Sequence, residues 1–117
     1  SKAEGVEFAK LLDGKVDFIH CSAGLDTEEY QAVHTHPTIF LPHGVNVHYA
    51  AAVKAAGVKT PVVTIGAIST PEQAAKMCQS ADGAIVGSAI VKLCEKYGKD
   101  CVPYVAEYVK SMVEACK

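Results

Sequence analysis

The sequence predicts an α/β fold with about three parallel strands and flanking helices, and three observations carry that expectation. The short stretches 16–22, 61–66 and 83–87 are rich in apolar residues, as strands buried on both faces are. Stretches with helical spacing of apolar residues separate them. Two of the three strand stretches end in glycine and lead towards a helix start. Together these features describe a partial (β/α)8 (TIM) barrel, read as a single domain over residues 1–117 and taken as the carboxy-terminal segment of the barrel. A whole eight-stranded barrel usually needs roughly 250 residues, so a chain of 117 residues is expected to supply only part of one.

The elements follow in order. Val6, Phe8, Ala9, Leu11 and Leu12 set a helical pattern over residues 3–12, and Asp13-Gly14 ends it. Residues 16–22 form the first strand. Gly24 opens a long segment to about residue 44 that holds His34, His36, Pro37, Pro42 and His43 and reads as an extended loop. Residues 45–56 are a helix with Asn46 at its N-cap and Gly57 as its stop. After the strand 61–66, Ser69-Thr70-Pro71-Glu72 is a helix start: a hydroxyl cap, proline in the first turn and an acid near the positive helix end. That helix runs to about Gln79. The strand 83–87 leads into a helix from Ser88 to Tyr97, Gly98 breaks it, and residues 102–116 form a last amphipathic helix.

Composition narrows the function classes. Half of the residues are hydrophobic and 21% are charged, a globular mixture. The net charge of -2 argues against broad attraction to nucleic acid. No apolar run approaches membrane-spanning length, and the amino-terminal residues lack the basic and apolar regions of a signal peptide; a cytoplasmic protein is expected. Five cysteines without a C-x-x-C pair give little support to zinc or thioredoxin-type chemistry, and reduced, mostly buried thiols are expected. All eleven positive side chains are lysines. Without arginine, a phosphate site must use backbone N–H groups, hydroxyls or lysine.

The two strand-to-helix turns provide such groups. Glycine lets a ligand approach the backbone, and the N–H groups of a helix start favour an anion. Gly66 and Ala67 after the second strand, with Gly87 and Ser88 after the third, are therefore the candidate binding residues for a phosphorylated ligand. In barrels, the loops after the last two strands often form this cradle. Taken singly, each glycine needs no more explanation than a tight turn.

Two families share these residues. VDFIHCSAG, the long loop after it and GVNVHYAAAVKAAGVKTPVVTIGAISTPEQAAKM resemble the last third of the old yellow enzyme-like NADH:flavin oxidoreductases, over roughly residues 4–79. ADGAIVGSAIVKLCEKYG and YVAEYVKSMVEA resemble the end of the tryptophan synthase alpha subunit, and GAISTPEQ fits that family too. The double resemblance implies a hybrid joined between residues 66 and 82. In both families it implies a ligand phosphate resting on Gly66, Ala67, Gly87 and Ser88: that of FMN in the first, that of indole glycerol phosphate in the second. The flavin resemblance implies an FMN-binding segment of an NADH-dependent oxidoreductase. The alternatives are an alpha-subunit-like lyase segment and a non-catalytic phosphate-binding scaffold. The acid-base residues of both families belong to earlier strands and match nothing here, so no catalytic residue is assigned. A three-stranded piece exposes barrel-facing apolar residues, which implies self-association or a complementary barrel part.

The remaining candidates are weaker. His34, His36, His43 and His48 lack an acid at a convincing metal-ligand spacing, so no metal site is assigned. His20 and Cys21 are adjacent on a strand and point to opposite faces, which argues against a nucleophile and base pair. Lys54 and Lys92 read as solvent-facing. Tyr97, Tyr104 and Tyr108 read as packing residues of the last helical segment.

Overall fold

The computed structural model describes residues 1–22, 44 and 46–117; the predicted loop, with His34, His36 and His43, lies outside them. The element order is α1 (Lys2–Leu12), β1 (Ile19–Cys21), α2 (Val47–Ala55), β2 (Val62–Ile65), α3 (Pro71–Cys78), β3 (Gly83–Ile85), α4 (Ser88–Tyr97), a 3-10 turn (Gly98–Asp100) and α5 (Cys101–Ala115). The three strands form one parallel sheet in the order β1-β2-β3, as the α/β expectation requires.

Local chemistry sets the boundaries. Helix α1 starts one residue earlier than predicted because the Ser1 hydroxyl accepts from the Glu4 N–H in a capping box. The same device, with Thr70 and Gln73 and with Pro71 in the first turn, starts α3. Asn46 occupies the N-cap position of α2, but its side chain makes no capping bond there. Strand β1 is shorter than the predicted 16–22. Ile19 pairs with Val62, and its N–H donates to the Pro61 carbonyl at 2.8 Å. Proline has no N–H to continue the ladder towards Val16, and Val16 and Phe18 are exposed.

The pleat gives the sheet two faces. Ile19, Cys21, Val62 and Thr64 are buried and alternate with residues of the opposite face. Ile19, Cys21 and Val62 pack with Ala9 of α1 and with Ala50 and Val53 of α2. Further along the sheet, Ala84 and Val86 pack with Ala74 and Met77 of α3 and with Tyr108 and Met112 of α5. His20 is exposed on the other face.

Two aspartates pin the entrance of β2. The Asp13 carboxylate, just after α1, accepts from the Thr60 N–H and hydroxyl, both at 2.8 Å, and from the Lys59 N–H at 3.1 Å. The Asp82 carboxylate, just before β3, accepts from the Val62 N–H at 2.8 Å, while the Asp82 N–H returns a 2.7 Å bond to the Val62 carbonyl. Lys54 of α2 donates to both Asp82 oxygens at 2.9 Å. The solvent-facing reading of Lys54 is corrected by this ion pair, which ties α2 to the start of β3.

The cysteine expectation is corrected as well. Cys78 and Cys116 form a disulfide with Cα atoms 5.5 Å apart, so the last residues after α5 are fastened to the end of α3. Cys21 is a buried free thiol, Cys94 is exposed and Cys101 is half-buried.

Both aspartates titrate below the ordinary value of 3.8. Asp13 is lowered by the Thr60 N–H, the Thr60 hydroxyl and the Lys59 N–H. At Asp82 partial burial pushes upward, but the Lys54 ammonium and the Val62 N–H outweigh it. A lowered folded-state pKa contributes stability that is complete above 3.8 and lost as pH falls through the lowered value. Urea melts should therefore show flat stability down to about pH 4 and a fall below it. The Asp82→Asn variant should lose about 0.5–1 kcal/mol at neutral pH, a small figure because the pair is partly exposed and screened, and should show a shallower acid fall.

Candidate functional site

Parallel pairing puts both candidate turns at the same end of the sheet. Ile65 pairs with Ile85, and two residues further along each strand stand Ala67 and Gly87. The site is therefore bordered by the starts of α3 and α4, at the carboxyl ends of adjacent strands, where open α/β sheets bind ligands.

The four residues are not equivalent. Gly66 is buried. A Cβ there would collide with the Met77 methyl and stand 3.0 Å from the Gly44 Cα and 3.1 Å from the Gly44 N. Glycine at 66 is thus required by the protein's own packing, where the backbone at Gly44 crosses the end of β2. Ala67 is exposed and has φ of 53°, the only non-glycine positive φ among the described residues. A side chain in this region costs about 1–2 kcal/mol, and its presence marks a turn held by its surroundings.

Gly87 differs from Gly66 in exposure and in packing. It is exposed, its φ of -119° is open to any residue, and nothing lies within 4 Å of an added Cβ. Neither packing nor backbone geometry calls for glycine there. Ser88, also exposed, is the first residue of α4.

The donors of the two helix starts differ in the same sense. At α3 they are already engaged: the Gln73 carbonyl oxygen accepts from the Ser69 N–H at 2.8 Å and the Thr70 N–H at 3.2 Å, and Pro71 has none to give. The Tyr108 hydroxyl donates to the Ser69 carbonyl at 3.1 Å, fixing this turn to α5. At α4, Gly87 provides no side-chain cap. Intrahelical bonding begins with the Ile90 and Val91 N–H groups, which donate to the Gly87 carbonyl. The N–H groups of Ser88 and Ala89 are the first-turn donors that helix geometry leaves over, at the positive end of the helix dipole. The arrangement can receive an anion on α4, with the rigid 66–70 turn beside it.

Sequence reasoning did not detect the Gln73 plug, the Tyr108 tie or the strained Ala67. The capping-box spacing from Thr70 to Gln73 was a usable signal for the first; the other two depend on tertiary placement. Of the other candidates, His20 and Cys21 do face opposite ways, and burial raises the Cys21 thiol pKa. The His48 ring packs on Tyr49, with centroids 4.0 Å apart. Tyr97 and Tyr104 stack on each other. Lys92 is exposed. Two apolar grooves lie elsewhere, one beside β1 along α1 and one beside β3 under α5, and neither is lined by the four candidate residues. Among the described residues, no helix is long and apolar enough to cross a membrane.

Residues 44–117 match the family "Tryptophan synthase alpha chain". The chain is 48% identical over 59 residues to the tryptophan synthase alpha chain of Geobacter sulfurreducens, covering 50% of this chain and 22% of that protein. It is 44% identical over 57 residues to that of Thermotoga petrophila, covering 48% of this chain and 24% of the relative. The matched stretch is thus less than a quarter of each of these relatives. The match takes in residues 44–79, on which much of the flavin oxidoreductase resemblance rested, and runs through 66–82, where a join was expected. That corrects the reading as an FMN-binding segment of an NADH-dependent oxidoreductase, and with it the assignment of FMN as cofactor.

Urea denaturation should separate the roles of the turn residues. Gly66→Ala should cost about 1–3 kcal/mol through overpacking against Gly44 and Met77. Gly87→Ala should cost no more than about 1 kcal/mol, the size of a helix-cap effect. Ala67→Gly should leave stability unchanged or raise it by up to about 1 kcal/mol as the positive-φ strain is relieved.

Proposed function

The chain belongs to the tryptophan synthase alpha chain family, and from that premise we propose that residues 1–117 are the carboxy-terminal, phosphate-holding segment of a lyase barrel. In this reading the Ser88 and Ala89 N–H groups and the Ser88 hydroxyl hold the phosphate of indole glycerol phosphate. Gly87 leaves room for the phosphate against the backbone, and Gly66 and Ala67 form the neighbouring wall. The observation that carries the reading is Gly87: an exposed glycine that the fold itself does not require, at the open start of α4.

The chemistry of this segment is binding. A phosphate dianion at α4 gains charge-assisted N–H bonds and the helix dipole. With no arginine in the chain, it is held by directional backbone donors rather than by a guanidinium fork. Carbon–carbon cleavage needs an acid and a base placed on the rest of the substrate, and the family's carboxylates have no match here. They would come from a complementary barrel part. The segment alone then acts as a phosphate-binding scaffold. Its proposed setting is the cytoplasm.

Two features support assembly with such a part. Among the described residues β1 and β3 are the edges of the sheet. Each edge is flanked by an apolar groove, with Phe8 and Phe18 62% and 58% exposed beside the first and Val109 and Val113 bordering the second. Unpaired edges beside apolar surface favour association.

Amide NMR during titration with glycerol 3-phosphate should show the largest shifts at Ser88 and Ala89. Ser88→Asp, which sets a like charge at the helix start, should weaken binding at least about tenfold, or about 1.4 kcal/mol. Equal binding by the variant would remove α4 as the phosphate site. In size-exclusion chromatography with light scattering, the chain should run as an oligomer at micromolar concentration; a clean monomer would refute self-association of the isolated segment.

A further inference from the structure

One side chain of α5 reaches both turns of the candidate site, and the phosphate-binding reading gives it no part. The Tyr108 hydroxyl donates to the Ser69 carbonyl at 3.1 Å, in the turn that leads from Ala67 to α3. The Tyr108 ring packs in the same cluster as Val86, and with Val86 and Ile90 it lines the groove beside β3. Val86 directly precedes Gly87, and the Ile90 N–H donates to the Gly87 carbonyl in the first turn of α4. Tyr108 therefore spans from the start of α3 to the start of α4.

A second tie fixes where this side chain stands. Cys116, eight positions after Tyr108, is joined to Cys78, nine positions after Ser69. A helix rises about 1.5 Å per residue, so these two spans are similar in length, and α5 runs in step with α3 from one tie to the other. With its far end fastened covalently, α5 has little room to slide, and Tyr108 is held level with Ser69. Gln73 braces the same turn from within α3. The turn braced from these two sides is the one that carries Ala67 at positive φ.

We propose that Tyr108 is a positioning residue for the ligand: it sets the separation between the Ala67 wall and the Ser88 and Ala89 donors, and so the fit of the part of a phosphate ester that lies beyond its phosphate. The proposal rests on the reading of α4 as the phosphate site. A free phosphate needs only the α4 donors, whereas an ester carries carbon and hydroxyl groups that must fit against the neighbouring turn. Removing the Tyr108 hydroxyl frees the Ser69 carbonyl and leaves the 66–70 turn braced by Gln73 without its tie to α5. The donors of α4 stay as they were. Tyr108 acts on the ligand only through the turn it holds.

The Tyr108→Phe variant of the full chain tests this, because it keeps the ring and its packing and removes only the hydroxyl. Its circular dichroism should match that of the unaltered chain. Amide NMR titrations with glycerol 3-phosphate and with inorganic phosphate then give the two affinities. The variant should bind glycerol 3-phosphate about three- to tenfold more weakly, the range expected for one lost hydrogen bond, and should lose less affinity for inorganic phosphate. An equal loss for both ligands would mark a general loosening of the fold and overturn the proposal, as would an unchanged affinity for the ester. Ser88→Asp, titrated with inorganic phosphate, tests the underlying reading separately. Unchanged binding by that variant removes α4 as the phosphate site and this proposal with it. Weakened binding by Ser88→Asp beside an unaffected Tyr108→Phe overturns the role of Tyr108 alone.

Discussion

The structure depends on how its central strand is entered. Strand β2 makes both ladders of the sheet, so its register fixes the other two strands. That register is set before the strand begins. Asp13 receives the Lys59 and Thr60 N–H groups from the α1 side, and Asp82 receives the Val62 N–H from the β3 side. A parallel strand of four residues has few ladder bonds of its own, and a slip by one residue would turn Val62 and Thr64 out of the core. Two carboxylates on backbone donors at one end remove that freedom more directly than further apolar burial would.

Because the strands are parallel, the pinned end and the candidate binding end are opposite ends of the same sheet. At the pinned end the side chains serve the fold: Asp13, Thr60, Asp82 and Lys54 all bond to one another or to the backbone of β2. At the other end the donors at the start of α3 are taken up by Gln73 and Thr70 and Tyr108 holds the Ser69 carbonyl, while the donors of α4 remain. The contrast between Gly66 and Gly87 follows from this layout. Gly66 sits where Gly44 and α3 close over the strand, and Gly87 sits where nothing does.

The local features were legible in the sequence. Helix α4 has the predicted ends, Ser88 and Tyr97, because a glycine stands at each boundary. The start of α3 was readable from Ser69-Thr70-Pro71-Glu72, and the parallel sheet from apolar stretches separated by helices. What was not legible depends on residues distant in sequence. Strand β1 loses its predicted first residues because Pro61, more than forty positions away, cannot continue the ladder. The Lys54–Asp82 pair and the Cys78–Cys116 bridge join positions 28 and 38 apart, and no local pattern encodes them. The flavin resemblance failed for a related reason. A short apolar strand, a glycine and a capped helix are what any phosphate-binding barrel needs there, so motifs of that kind identify a solution shared by several families more readily than they identify one family.

The asymmetry of the sheet also bears on how such a chain can change over generations. Substitutions around Asp13, Thr60 and Asp82 strike the register of every strand at once, and drift there is confined. Positions 87 and 88 are exposed, and none of the bonds that set the strand register comes from them. Variation at this helix start can therefore leave the strand register in place. The residues that set the register and the residues of the candidate site stand on opposite rims of one three-stranded sheet, so change at the second rim need not undo the first.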